Sequence, residues 1–100
     1  MKSYRLQIHP FAESELKDAK NWYDIQKEDL GNEFIEEVEN KLLQIVQNPN
    51  RYAKIRKDVR KAVLKRFPYS IVYSVVNDTV KIYSFFHHSR NPKNWQSRAK

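Results

Sequence analysis

VRKAVLKRFPYSIVYSVVNDTVKIYSFFHHSR, from Val59 to Arg90, is the stretch whose reading decides the fold. It holds three runs rich in β-branched and aromatic residues, separated by the corner Phe67-Pro68-Tyr69 and the pair Asn77-Asp78. Val, Ile, Tyr and Phe suit a pleated, half-buried surface, whereas Pro interrupts a ladder and Asn-Asp supplies turn conformations that reverse it. The spacing predicts a meander of three strands, and whatever precedes it in the chain must cover one of its faces.

Upstream, Ser3 to His9 alternate, with Tyr4, Leu6 and Ile8 on one side and Arg5, Gln7 and His9 on the other, which predicts a half-buried strand. Pro10 ends it and suits a helix start, because its φ is already helical and its missing N–H needs no partner there. Apolar residues recur at Ala12, Leu16, Ala19 and Tyr23, predicting a helix over about 11–27 with one apolar stripe. A second helix is predicted from Phe34, Val38, Leu42 and Ile45, ended by Asn48-Pro49. Gly31, the one glycine, is expected at the break between them, in a left-handed conformation that turns the chain. Residues 51–58 read as a basic connector with a short strand around 53–56. The sum is βααβββ, one α+β domain over residues 1–100 in two layers, with a helical hairpin packed on a small, mainly antiparallel sheet.

Composition removes several classes of function. There is no cysteine, hence no disulfide and no thiolate metal site, and a reducing cytoplasm is the expected setting. No Gly-rich phosphate loop, nucleophile elbow or metal-ligand cluster is present, so no cofactor and no metal are expected. The N-terminus lacks an apolar signal core, and no run approaches the roughly 18 apolar residues that span a bilayer, so no membrane partner is expected. The net charge of +7 is unevenly spread: residues 1–40 carry five Lys/Arg against ten Asp/Glu, and residues 41–100 carry fourteen against two. Such a basic half predicts an anionic partner, either nucleic acid or an acidic protein segment.

The cations crowd around the meander's first strand: Arg51, Lys54, Arg56, Lys57, Arg60, Lys61, Lys65 and Arg66. On a strand, Lys61 and Lys65 share one face and Arg60 and Arg66 the other. His87 and His88, being adjacent, point to opposite faces and cannot jointly hold one metal. RNA cleavage by an attacking 2′-hydroxyl needs no metal if one group takes its proton, another protonates the leaving oxygen, and cations hold the phosphorane. His87 with Arg60, Lys61 and Arg90 would be the parts. Trp22, Tyr23 and Trp95 serve either as stacking platforms or as core.

Taken together, Trp22-Tyr23-Asp24-x-Gln26, Leu30-Gly31-x-x-Phe34, Asn48-Pro49, the run from Val59 to Tyr73, and His87-x-x-Arg90-x-Pro92-x-x-Trp95 resemble the RelE/ParE toxin superfamily over nearly the whole chain. The resemblance implies a small basic bacterial toxin of a type II toxin-antitoxin module, held in a hetero-oligomer by an acidic, partly disordered antitoxin. It also implies one of two targets. RelE-like members cut mRNA on the ribosome with several cations on the central strands and a C-terminal Tyr or His. ParE-like members poison DNA gyrase and have no catalytic site of their own. Val63 and Ser70 stand where RelE-like members carry further cations, and the tail aligns with Trp95 rather than a catalytic tyrosine, so the ParE-like reading is preferred. A non-toxic member that only binds its antitoxin is the third alternative. On the nuclease reading the catalytic residues are His87, Arg60, Lys61 and Arg90. Target or antitoxin binding is expected at Arg56, Arg60, Lys61, Lys65, Arg66, Arg90, Trp95 and Arg98.

Overall fold

A computed structural model describes residues 4–99. Strand β1 (Arg5–Ile8) leads into α1 (Pro10–Gln26) and α2 (Leu30–Gln47), and a 3₁₀ turn (Pro49–Arg51) follows. Then come β2 (Lys54–Arg56), β3 (Val59–Val63), β4 (Tyr69–Val76) and β5 (Thr79–His87), and the tail folds as a one-turn helix α3 (Lys93–Gln96) and a 3₁₀ turn (Ser97–Ala99). The five strands lie in the order β1-β5-β4-β3-β2, with β1 parallel to β5 and every other pair antiparallel. The α+β hairpin-on-sheet architecture is as expected. Ser3, placed in the expected first strand, lies outside the described residues.

Both helices turn their apolar stripes to the sheet. Ala12, Ala19 and Tyr23 of α1 and Phe34, Val38 and Ile45 of α2 are buried against Ala62, Ile71, Tyr73, Val80, Ile82 and Phe85. Each such large side chain is worth about 1.5–3 kcal/mol of burial. The alanines at 12 and 19 have no bulk to hold α1 away from the strands beneath it.

Two expectations need correction. Gly31 does not make the break: it lies inside α2, and the left-handed residue is Asp29, with φ of 66°. Gly31 is instead a point of close approach, since a Cβ there would fall 2.6 Å from the Lys20 carbonyl oxygen of α1. Its N–H donates to the Asp24 carboxylate at 3.0 Å, tying the end of one helix to the start of the next. Second, β3 stops at Val63, so Lys65 and Arg66 lie beyond the strand and have no strand face. The tail after Arg90, for which the sequence offered no element, is structured, and of the two roles open to Trp95 it takes the core one: it is buried with Val59 and Val72 on the sheet face that the helices leave open.

A register shift on β5 sharpens the division of the two faces. Tyr73 pairs with Ile82 and Val72 with Ser84, which leaves Tyr83 as the extra residue of a bulge. Ile82 and Phe85 can therefore both face the helices, while Tyr83 packs beside the cluster under Trp95. β1 ends opposite Ile82, so among the described residues the outer edge of β5 beyond that point has no strand beside it. Glu15 of α1 and Arg98 of the tail take its place. The Glu15 carboxylate accepts from the Ser84 hydroxyl (2.9 Å) and the Phe85 N–H (3.3 Å), and Arg98 donates to the Tyr83 carbonyl (3.0 Å) and to Glu15 (2.9 Å).

Candidate functional site

The open face of the sheet is built by strand parity. Val59, Lys61 and Val63 of β3 stand opposite Ser74, Val72 and Ser70 of β4, and side chains paired across a ladder share a face. Trp95 covers the Val59–Val72 part. The remainder is a groove of about 440 Å³ whose walls include Ile55, Arg56, Lys61, Val63, His88 and Trp95. Ile55 and Val63 leave 40% and 48% of their surface in water, which makes the groove as apolar as it is cationic.

His88 is the histidine of this groove. It follows β5, its N–H donates to the Pro68 carbonyl at 2.9 Å, and its Nε2 lies 2.8 Å from the hydroxyl of buried Ser70. Burial first, and then the nearby charge of Lys61, holds its pKa below the ordinary histidine value, so the ring is neutral at pH 7. Ser70, where a further cation was sought, is a buried hydroxyl that fixes the orientation of this ring.

His87 is on the other side. It pairs with Tyr69, and the two rings meet edge to face at 4.9 Å on the helix side of the sheet. The Ser89 N–H donates to its Nδ1 at 3.1 Å, which makes Nδ1 an acceptor and leaves the ring proton on Nε2. Here α1 and the exit of β5 enclose a second cavity, of about 370 Å³, with Asp18, Trp22, Tyr69, His87 and Arg90 among its lining residues.

The expected constellation of His87, Arg60, Lys61 and Arg90 is therefore not assembled: His87 and Arg90 share the helix-side cavity, while Lys61 lies across the sheet with His88. Arg60 is in neither. Its guanidinium donates to the carbonyls of Asn50 (3.1 Å) and Tyr52 (2.6 Å), holding the loop after α2. Beside it the Tyr73 hydroxyl donates to the Pro49 carbonyl at 2.6 Å, and burial pushes the phenol pKa up to about 12. Arg66 pairs with Glu33 at 2.8 Å, and the N–H groups of Lys65 and Arg66 donate to Glu37. Arg98 is spent on Glu15 and Tyr83. Of the expected binding residues, Arg56, Lys61 and Trp95 gather in the open groove. His88 was not singled out as a partner of Lys61. Its parity with the open face was visible, but the register joining β5 to β3 through β4 was not.

A polypeptide of this topology, with a basic groove on one sheet face and an acidic helical layer on the other, matches a known family model. Residues 6–92 fit the ParE toxin of the type II toxin-antitoxin system parDE. The chain belongs to the ParE toxin family. It is thus a type II toxin of the RelE/ParE superfamily. Solved structures of similar fold include one of the chromosomal ParDE system from P. aeruginosa, with a TM-score of 0.75 and 17% identity over 85% of this chain and 96% of that one. An E. coli RelE double mutant in the free state aligns with a TM-score of 0.71 and 17% identity, over 98% and 99% of the two chains. The same toxin in complex with a RelB peptide aligns with a TM-score of 0.66 and 20% identity over 98% and 95%. At these identities the three attest the fold of this ParE-family toxin. No curated protein matches it by sequence.

Proposed function

We propose that this ParE-family toxin arrests growth by poisoning DNA gyrase and is neutralised by a cognate antitoxin with an acidic segment. The observation that carries the reading is the make-up of the open groove, where Val63 and Ile55 take surface that a phosphate-binding face would give to cations. Arg56, Lys61 and Trp95 are the groups this face offers to target or antitoxin, with Lys65 and Arg90 exposed outside it. The fit of the family model over residues 6–92 supports the same reading, on which the toxin acts in the bacterial cytoplasm. In the test, the chain is induced alone in a bacterium and purified gyrase is incubated with it and supercoiled plasmid. An SOS response, filamentation and trapped gyrase–DNA cleavage complexes are expected, while translation continues at first. Prompt translational arrest without DNA damage sinks the gyrase reading.

One arrangement favours a second reading, cleavage of mRNA on the ribosome. His88, held neutral beside Lys61 and steadied by Ser70, has the makings of a general acid or base next to a phosphate-binding cation. On that reading His88→Ala lowers cleavage by about 10²- to 10⁴-fold, as loss of a general acid or base does. His87→Ala and Arg60→Ala act only through folding. Cleavage undiminished in His88→Ala removes the nuclease reading from this groove.

A further inference from the structure

The cavity between α1 and the exit of β5 lies outside the open groove on which both readings rest. It is built, however, as small-molecule sites are: concave, walled by aromatic side chains, with a few polar groups converging on it. Trp22 leaves 57% of its surface in water although it lines a cavity, and the ring contact it makes is with Tyr23, edge to face, so indole surface remains for a planar guest. Tyr69 and His87 add two further rings.

The charges narrow the guest. Glu15 is already engaged by Ser84, Phe85 and Arg98. Asp18 and the Arg90 guanidinium line the same cavity, and among the described residues neither has an ion-pair partner. An acidic peptide would meet Asp18 and a basic one Arg90, so neither suits both. A guest with a planar group that donates N–H at one end and an anion at the other satisfies Trp22, Asp18 and Arg90 together. The exposed edge of a nucleobase donates N–H to a carboxylate, its face stacks on indole, and a guanidinium holds phosphate in a charge-assisted pair. His87 adds a donor, because Ser89 fixes the ring proton on Nε2.

We propose that the α1–β5 cavity binds a nucleoside 5′-monophosphate unit, with the base on Trp22 and Asp18 and the phosphate at Arg90 and His87. The unit comes either as a free nucleotide or as an unpaired nucleotide of a strand. The proposal does not rest on the target of the toxin.

The test titrates the full chain, labelled with ¹⁵N, with AMP, CMP, adenosine, ribose 5-phosphate and a single-stranded ribo-trinucleotide. The two tryptophans give two indole N–H signals, and buried Trp95 is the internal reference for exposed Trp22. The Trp22 signal should shift with AMP and CMP while that of Trp95 stays. Adenosine and ribose 5-phosphate should each bind at least about 10-fold more weakly, since each lacks one half of the recognised unit. Trp22→Ala, followed through the Asp18 and Arg90 amides, and Arg90→Gln should each weaken AMP by about 5- to 150-fold, the range for losing one stacked base or one charge-assisted contact. Lys54→Ala, a cation on the far edge of the sheet, should leave it unchanged. A trinucleotide that binds no better than AMP assigns the site to free nucleotides; one at least about 10-fold tighter and weakened by salt assigns it to a strand. No shift at millimolar nucleotide, equal binding of ribose 5-phosphate, or AMP binding retained in both variants overturns the proposal. Trp22 and Arg90 are exposed, so both variants should fold, and a thermal melt of each confirms that a lost signal is lost binding.

Discussion

Two adjacent histidines in this chain have different chemistry because a strand sends them to different surroundings. His87 keeps its Nδ1 occupied by Ser89 in the helix-side cavity, whereas His88 is pressed against Ser70 and Lys61 in the open groove. The lowered pKa of His88 has a consequence for stability. Its folded pKa lies below its unfolded one, near 6.5, so the unfolded chain takes the proton first as pH falls. Stability supported by the neutral ring is present above about pH 6.5 and is lost as pH falls through the folded pKa. Urea midpoints at pH 7.5 and pH 5 should therefore differ more for the wild type than for His88→Gln. Equal differences in the two proteins would show that the ring ionises alike in both states. At this scale the alternation of His87 and His88 was legible in the sequence. The serine that each ring meets, Ser89 for His87 and Ser70 for His88, needed the backbone path after Phe86.

At the scale of an element, the helix hairpin shows a residue correctly noticed for the wrong reason. A lone glycine between two amphipathic runs reads as a left-handed break, yet Asp29 supplies that conformation and Gly31 supplies room. In an ordinary helix position Gly→Ala stabilises by about 0.5–1 kcal/mol, because alanine has less backbone entropy to lose. Gly31→Ala should do the reverse here, since the new methyl meets the Lys20 carbonyl and the Asp24 side chain, and overpacking of this kind costs about 1–3 kcal/mol. A thermal melt measures it: each kcal/mol lowers Tm by about 4–8 °C in a domain of this size. A Tm unchanged or raised would mean that α1 and α2 part without cost. The apolar stripes of both helices, by contrast, could be read directly, because 3.6-residue periodicity is a property of local sequence and both stripes are buried where expected.

Across the whole molecule, one ion pair joins the two layers to the tail. Glu15 on α1 holds Arg98, and both seal the edge of β5 where β1 stops. Arg98 is 11% and Glu15 26% exposed, so water screens the pair only in part. Removing one partner of such a pair leaves the other desolvated and unpaired. Glu15→Ala should accordingly destabilise by about 1–3 kcal/mol and loosen the tail that carries Trp95. Limited proteolysis after residue 90 reports the second effect. If the tail stays as resistant as in wild type while Tm falls, Trp95 alone is enough to dock it. The same scale explains the charge asymmetry of the sequence: the acidic first forty residues form most of the helical layer, and the basic remainder forms the open groove and its rim. Several of the cations counted there are nevertheless internal fastenings, Arg60 to a loop, Arg66 to α2 and Arg98 to α1.

The sequence by itself determined the strands and the two long helices, their order, the α+β class and the opposite charges of the two halves, though not the short tail helix, because strand alternation, helical periodicity and composition are local or additive properties. Its motifs, read jointly, also carried the resemblance to toxins that the family match bears out. The tertiary structure alone decided which cations remain free and which histidine meets Lys61. Those depend on the bulge at Tyr83, the end of β3 at Val63 and the parallel seating of β1, and each is set by contacts between residues far apart in the chain. One residue of slip in a strand moves every side chain to the other face. Periodicity can therefore say that His87 and His88 differ, and only the assembled sheet says which of them stands in the groove.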